Sequence, residues 1–145
     1  MTSPHLFYRV SPQIQPAEEY LAFSGIPAEA SVSDELIGYL DDELRWVASL
    51  NPAASALPGV GLNRYGVTVV EASGCQALAR LLERLVAVFE LAPETFELTT
   101  GYDLDGQRFE RMTFIRSSVL EQLCLLRNLA RTVGREGLAL LHLGI

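Results

Sequence analysis

The sequence predicts an α+β fold: one domain, residues 1–145, with a mixed β-sheet, a β-hairpin and about three α-helices lying mainly on one side of the sheet. Three observations point there. Apolar residues recur at helical spacing in three stretches, β-branched and aromatic residues gather in several others, and the two kinds follow one another irregularly instead of as repeated strand-helix units. A chain of 145 residues also buries roughly 70% of its unfolded surface, enough for one core without a disulfide or metal staple.

In chain order, His5 to Val10 (HLFYRV) reads as a short strand. A proline-punctuated stretch follows, in which Glu18 to Phe23 fits either a helical turn or a second strand. Ser33 is placed to cap a helix that ends near Asn51-Pro52: acids fill its first turn, where the helix dipole favours them, and Leu36, Ile37, Leu40, Leu44 and Val47 share a face. Asn51 to Arg64 reads as a loop long enough to be functional or mobile. Tyr65 to Ala72 (YGVTVVEA) has the β-branched density of a strand covered on both faces. Ser73 then caps a helix to about Leu91, with Cys75, Leu78, Leu81, Leu82, Leu85, Val86 and Phe89 in one arc and Pro93 barring its continuation.

Thr95 to Tyr102 and Arg108 to Ile115 form a hairpin around a two-residue turn at Asp105-Gly106. That turn sets Asp103 opposite Arg108, Tyr102 opposite Phe109, Thr100 opposite Arg111, Leu98 opposite Thr113 and Phe96 opposite Ile115. Ser118 and Glu121 make a capping box for a helix through about Arg135, closed by Gly134 and Gly137. Leu138 to Leu143 (LALLHL), apolar on both faces, is a buried closing strand whose removal should unfold the domain.

Charge is unevenly spread. Six of the seven net negative charges fall in the first 50 residues, where Glu18, Glu19, Glu29, Asp34, Glu35, Asp41, Asp42 and Glu43 face only Arg9 and Arg45. This acidic field suits a basic partner and speaks against nucleic acid. All eleven basic residues are arginine, and without lysine there is no Schiff base, no phosphate-loop lysine and no lysine general base. Cys75 and Cys124 sit on separate predicted helices without metal-ligand spacing, so no disulfide, metal or other cofactor is expected. No stretch approaches the roughly 18 apolar residues of a membrane span, and the opening lacks a secretory pattern, which places the protein in the cytoplasm as an expectation.

On the acidic helix, Glu35, Tyr39, Asp42 and Trp46 form a stripe bordering the aliphatic arc. Aromatic anchors beside the carboxylates Asp41, Asp42 and Glu43 resemble a docking surface; the competing view is that Tyr39 and Trp46 merely close the edge of the core. Glu43 projects close to the apolar arc, either as a snorkelling edge residue or as a partly desolvated carboxylate with an arginine partner. Arg64 and Tyr65, at the exit of a glycine-rich loop without the dinucleotide spacing, suit loop anchoring before a phosphate or a partner carboxylate. Tyr102, Arg108, Phe109 and Arg111 crown the hairpin, residue types common in binding hot spots. The acids of GYDLDG mimic a calcium loop, but Gly101 and Met112 would fall where its end carboxylates belong. Cys75 points along an apolar arc and reads as an inert thiol. His5 and His142 lie on predicted strands; if those strands are neighbours the imidazoles meet, more plausibly as satisfied structural groups than as a metal or acid/base pair.

Two classes of function remain: a non-catalytic protein-binding module, and a small enzyme or ligand-binding domain built from scattered carboxylates, arginines and His142. Polar residues that track solvent faces favour the first. The segments LNRYGVTVV, APETFELTTGYDL and LHLGI resemble small bacterial immunity-type proteins, which neutralise a toxin delivered between competing cells. That resemblance implies a dedicated protein partner and no turnover; the lack of a secretory pattern would then have the toxin act in the cytoplasm, and the acidic field suits a basic cleft on it.

Overall fold

The computed structural model describes residues 3–14, 22–23 and 25–145, so the Glu18 to Phe23 expectation falls almost entirely outside the described residues, along with Glu19. The fold is α+β. Its principal sheet has six strands in the order β2 (Ala30–Val32), β1 (His5–Val10), β8 (Ala139–Leu143), β5 (Val67–Val70), β3 (Ala48–Leu50) and β4 (Pro58–Val60). Every pairing in it is antiparallel, which corrects the expected mixed sheet. The closing strand lies in the middle, hydrogen-bonded to β1 on one side and β5 on the other, and its first four residues are buried.

The hairpin, β6 (Thr95–Asp103) and β7 (Arg108–Ile115), forms a separate two-stranded ribbon. Its first pairs match the sequence reading, Asp103 with Arg108 and Tyr102 with Phe109, and then a bulge between Thr99 and Gly101 shifts the rest. Phe96 thereby faces Phe114 and stacks on it at 6.0 Å, instead of facing Ile115. Side-chain packing chooses this register, because the unbulged one sets Phe114 opposite Glu97. The turn differs as well: the loop spans four residues, and the left-handed residue is Gln107 (φ 51°), not Gly106.

The acidic helix is shorter than its periodicity suggests. It divides at Leu40 (φ −90°, ψ 4°) into α1 (Asp34–Tyr39) and α2 (Asp41–Leu44), and the chain then becomes β3. Leu36, Ile37, Leu40, Leu44 and Val47 are all buried as expected, but the helical turns stop at Val47, whose N–H still reaches Leu44 O (3.1 Å), and tertiary bonds follow: Gly61 N–H donates to Val47 O (2.9 Å) and Ser49 Oγ to Gly61 O (2.7 Å). The expected 51–64 loop is largely irregular, interrupted by a short 3₁₀ turn at Ala53–Ser55 and by β4, which returns antiparallel to β3.

The two long helices, α3 (Ala72–Phe89) and α4 (Arg116–Glu136), pack on each other. Both begin earlier than the expected serine caps: Glu71 and Ile115 are the N-caps, neither with a side-chain cap, and Ser118 Oγ accepts from Gln122 Nε2 instead of closing a capping box with Glu121. One face of the sheet meets the helices across a core containing Phe7, Leu36, Leu78, Leu82, Leu126 and Leu140. The other face carries Tyr8, Val10, Val69 and Leu141, covered by Ile14, Phe23 and Ala28, so β5 and β8 are enclosed on both sides.

Candidate functional site

Because β1 and β8 are neighbours, the two histidines do meet. His142 lies opposite Phe7 and Thr68, and His5 stands one diagonal step away on the same face. The imidazoles are nearly coplanar (10°) and touch edge to edge, with 5.0 Å between centroids and 2.7 Å from His5 Nδ1 to His142 Nε2. His5 Nε2 lies 3.0 Å from Asp34 Oδ1, and His142 Nδ1 lies 3.4 Å from Thr68 Oγ1. Arg64 grips Asp34 with two parallel bonds, Nε to Oδ1 and Nη2 to Oδ2, each 2.7 Å. Gly38 makes the room, since a Cβ there would stand 3.1 Å from the guanidinium nitrogens.

Every member is satisfied when His5 donates its Nε2–H to Asp34, His142 donates Nε2–H to His5 Nδ1, and Thr68 donates its hydroxyl to His142 Nδ1 while accepting Asn63 N–H (2.7 Å). The bonds from Arg64, then those from His5, hold the Asp34 carboxyl below the usual carboxylate range, and Asp34 raises Arg64 in turn. Burial, aided by the neighbouring His5, pushes His142 down to about 3, so its ring is neutral. Both imidazoles have 0% exposed surface, and Thr68 has none either. A group without accessible surface touches no substrate in this conformation; the network locks β1, β5, β8, α1 and the 61–66 loop together. Arg64 thus anchors its loop through an internal carboxylate, the loop-anchoring role of its two expected ones, and its place among the partner-binding residues gives way to it, whereas Tyr65 beside it is 75% exposed.

The acidic face lies outside this lock. Trp46, the only tryptophan, follows α2 and is 74% exposed, which decides against its closing the core edge. Asp42 is exposed, and Asp41 pairs with Arg45 at 3.1 Å. Glu35 is half-buried on a shallow cleft shared with Met112 and Gln122. Of the acids in the first 50 residues, Asp34 is internal, Glu29 pairs with Arg9 (3.3 Å) and Asp41 with Arg45, so the outward charge is smaller than the sequence count.

Tyr39 and Glu43, from the same α1–α2 segment, also line a groove of about 550 Å³. One wall is the α1–α2 pair; the other is the end of α3, the Leu91–Pro93 turn and the first residues of β6. An aromatic ladder runs beneath, Tyr39 to Phe89 (6.4 Å) to Phe96 (5.8 Å) to Phe114. Glu43 is half-buried with Oε2 fully covered and unbonded; Arg45 turns to Asp41, so the expected arginine partner for Glu43 is absent among the described residues. The sequence reading missed the groove, although Val88 outside the apolar arc of α3 and Leu91 just past its end were a signal for it.

The hairpin tip carries Tyr102 against Phe109 (5.1 Å, edge to face) with Leu104 exposed beyond them. Tyr102 and Phe109 occupy the ribbon face opposite Phe96 and Phe114, so they point away from the core. Arg108 and Arg111 are exposed there and pair loosely with Asp103 (3.9 Å) and Glu97 (3.5 Å). Cys75 is fully buried, its thiol raised to about 12 by burial, as an inert group should be. Among the described residues no three His, Cys, Asp or Glu side chains gather as metal ligands, and no helix is long and apolar enough to cross a membrane. No protein-family model, curated protein or solved structure matches the chain.

Proposed function

We propose that this chain is a non-catalytic protein-binding module of the immunity type, which covers a basic cleft on a toxin in the cytoplasm with the face carrying Tyr39, Asp41, Asp42, Glu43 and Trp46. The observation that carries the proposal is Trp46: the one indole of the chain stands 74% exposed beside Asp42 and the Asp41–Arg45 pair. A large ring left in water at a carboxylate border is costly unless something covers it, and tryptophan is the residue most often found to dominate an interface. With His5 and His142 without exposed surface, the enzyme alternative keeps only its scattered carboxylates and arginines, which favours the module.

The test is recovery of a stoichiometric partner from the native host by immobilised wild-type chain and by Trp46→Ala. Retention by the wild type and loss from the variant, through faster dissociation of about tenfold or more, supports the module. Equal recovery by both, or no partner at all, refutes it.

A further inference from the structure

The groove between α1–α2 and β6 combines two properties that conflict in the free protein. Its walls, including Tyr39, Leu85, Val88, Leu91, Phe96 and Leu98, are apolar or aromatic, and Leu91 on the rim is 86% exposed. Yet the one carboxylate lining it, Glu43, holds a covered Oε2 that no donor reaches. A purely apolar occupant would remove the remaining water and leave the carboxylate more isolated, a large penalty for a buried charge. A neutral donor would leave the charge unbalanced. A cation on an aliphatic stem offsets that charge from the groove side, where Glu43 lines the wall, while its methylenes cover the apolar residues. Arginine fits best, because its flat guanidinium also packs favourably against an exposed aromatic ring such as that of Tyr39. The net charge of −7 draws such a group toward the chain.

We propose that the groove seats an arginine side chain of the protein partner, flanked by apolar residues that cover Val88, Leu91 and Phe96. This deepens the binding-module proposal and rests on it: Trp46 marks the face, and Glu43 with its apolar surround supplies the specific pocket.

The probe is a capped Leu-Arg-Leu peptide, titrated into isotope-labelled chain while backbone amide shifts are followed. Comparison arms are the same peptide with citrulline for arginine, hexylammonium alone, and the variants Glu43→Gln and Val88→Ser, the latter at an exposed position where folding is secure. The expected result is shifts confined to residues 39–43, 88–93 and 96–98, with binding weakened about tenfold or more by Glu43→Gln and by citrulline. No shifts, shifts elsewhere, or equal binding of the arginine and citrulline peptides would overturn the proposal. Hexylammonium binding as tightly as the peptide would also overturn it, by making the groove a small-amine site. Thermal melting adds a second readout: Glu43→Gln should melt at the same or a higher temperature, and a clear loss would mean that the carboxylate has a partner inside the fold. With the native partner, loss by Trp46→Ala but full retention by Glu43→Gln and Val88→Ser refutes the groove and leaves the module standing. Absence of any partner refutes both.

Discussion

Lowering the pH should expose the cost of the buried imidazole pair. The unfolded chain protonates His142 near its ordinary value of 6.5, whereas in the fold burial holds the ring neutral down to about 3. Between those values the unfolded state binds the extra proton, so this contribution to stability is complete above about pH 6.5 and falls as the pH drops. One pH unit is worth about 1.4 kcal/mol, so roughly 2 kcal/mol should be lost between pH 6.5 and pH 5, a sizeable part of a typical domain's stability. Asp34 acts at lower pH: its carboxyl is held below 3.8, so its stabilisation is present above that value and is lost as the pH falls through the depressed one. Urea unfolding at pH 7, 6 and 5 measures the slope directly. His142→Gln should start about 1–3 kcal/mol less stable, because Thr68 and His5 lose geometry at their shared partner, yet show a flatter slope in that window. A wild-type stability that stays level or rises on acidification would mean that His142 carries a proton inside the fold, and the neutral network would be wrong.

Three further expectations concern packing and steering. Gly74→Ala should destabilise the domain by about 1–3 kcal/mol in a thermal melt despite the better helix propensity of alanine, because a Cβ there would stand 2.5 Å from Ala48 O and 2.8 Å from Val70 Cγ1. A chain stopped after Gly137 loses the strand that joins β1 to β5, and its circular dichroism should show no cooperative unfolding transition. Asp41→Asn with Asp42→Asn should slow association with the native partner at low salt and leave dissociation nearly unchanged, read by surface plasmon resonance; an unchanged association rate would remove electrostatic steering from the account.

What could be read from the sequence follows the range of the interactions concerned. Inward positions of the acidic helix, the long helices and the enclosed closing strand were legible, because each is fixed by the spacing of apolar residues within a few turns. The early end of the helical stretch was not, since residues 45–50 keep a helical pattern while Gly61 and Val60 capture Val47 and Ala48 from another segment. The hairpin register was legible next to the turn and lost beyond Thr99, where the match of Phe96 with Phe114 outweighs continuity of the ladder. At the site, the meeting of His5 and His142 was foreseen conditionally. Asp34 was taken for a dipole-suited acid, and only the fold of the 61–66 loop brings Arg64 onto it. The unpartnered oxygen of Glu43 likewise depends on where Arg45 turns, which is decided by Asp41 four residues earlier.

The most direct test of a docking face uses the single indole. With fluorotryptophan incorporated into this chain alone, the fluorine NMR signal of Trp46 should be that of a solvent-exposed ring in the free protein, then shift and lose its response to a soluble quencher when the native partner saturates it. A signal unchanged at saturation would place the contact elsewhere and contradict the account.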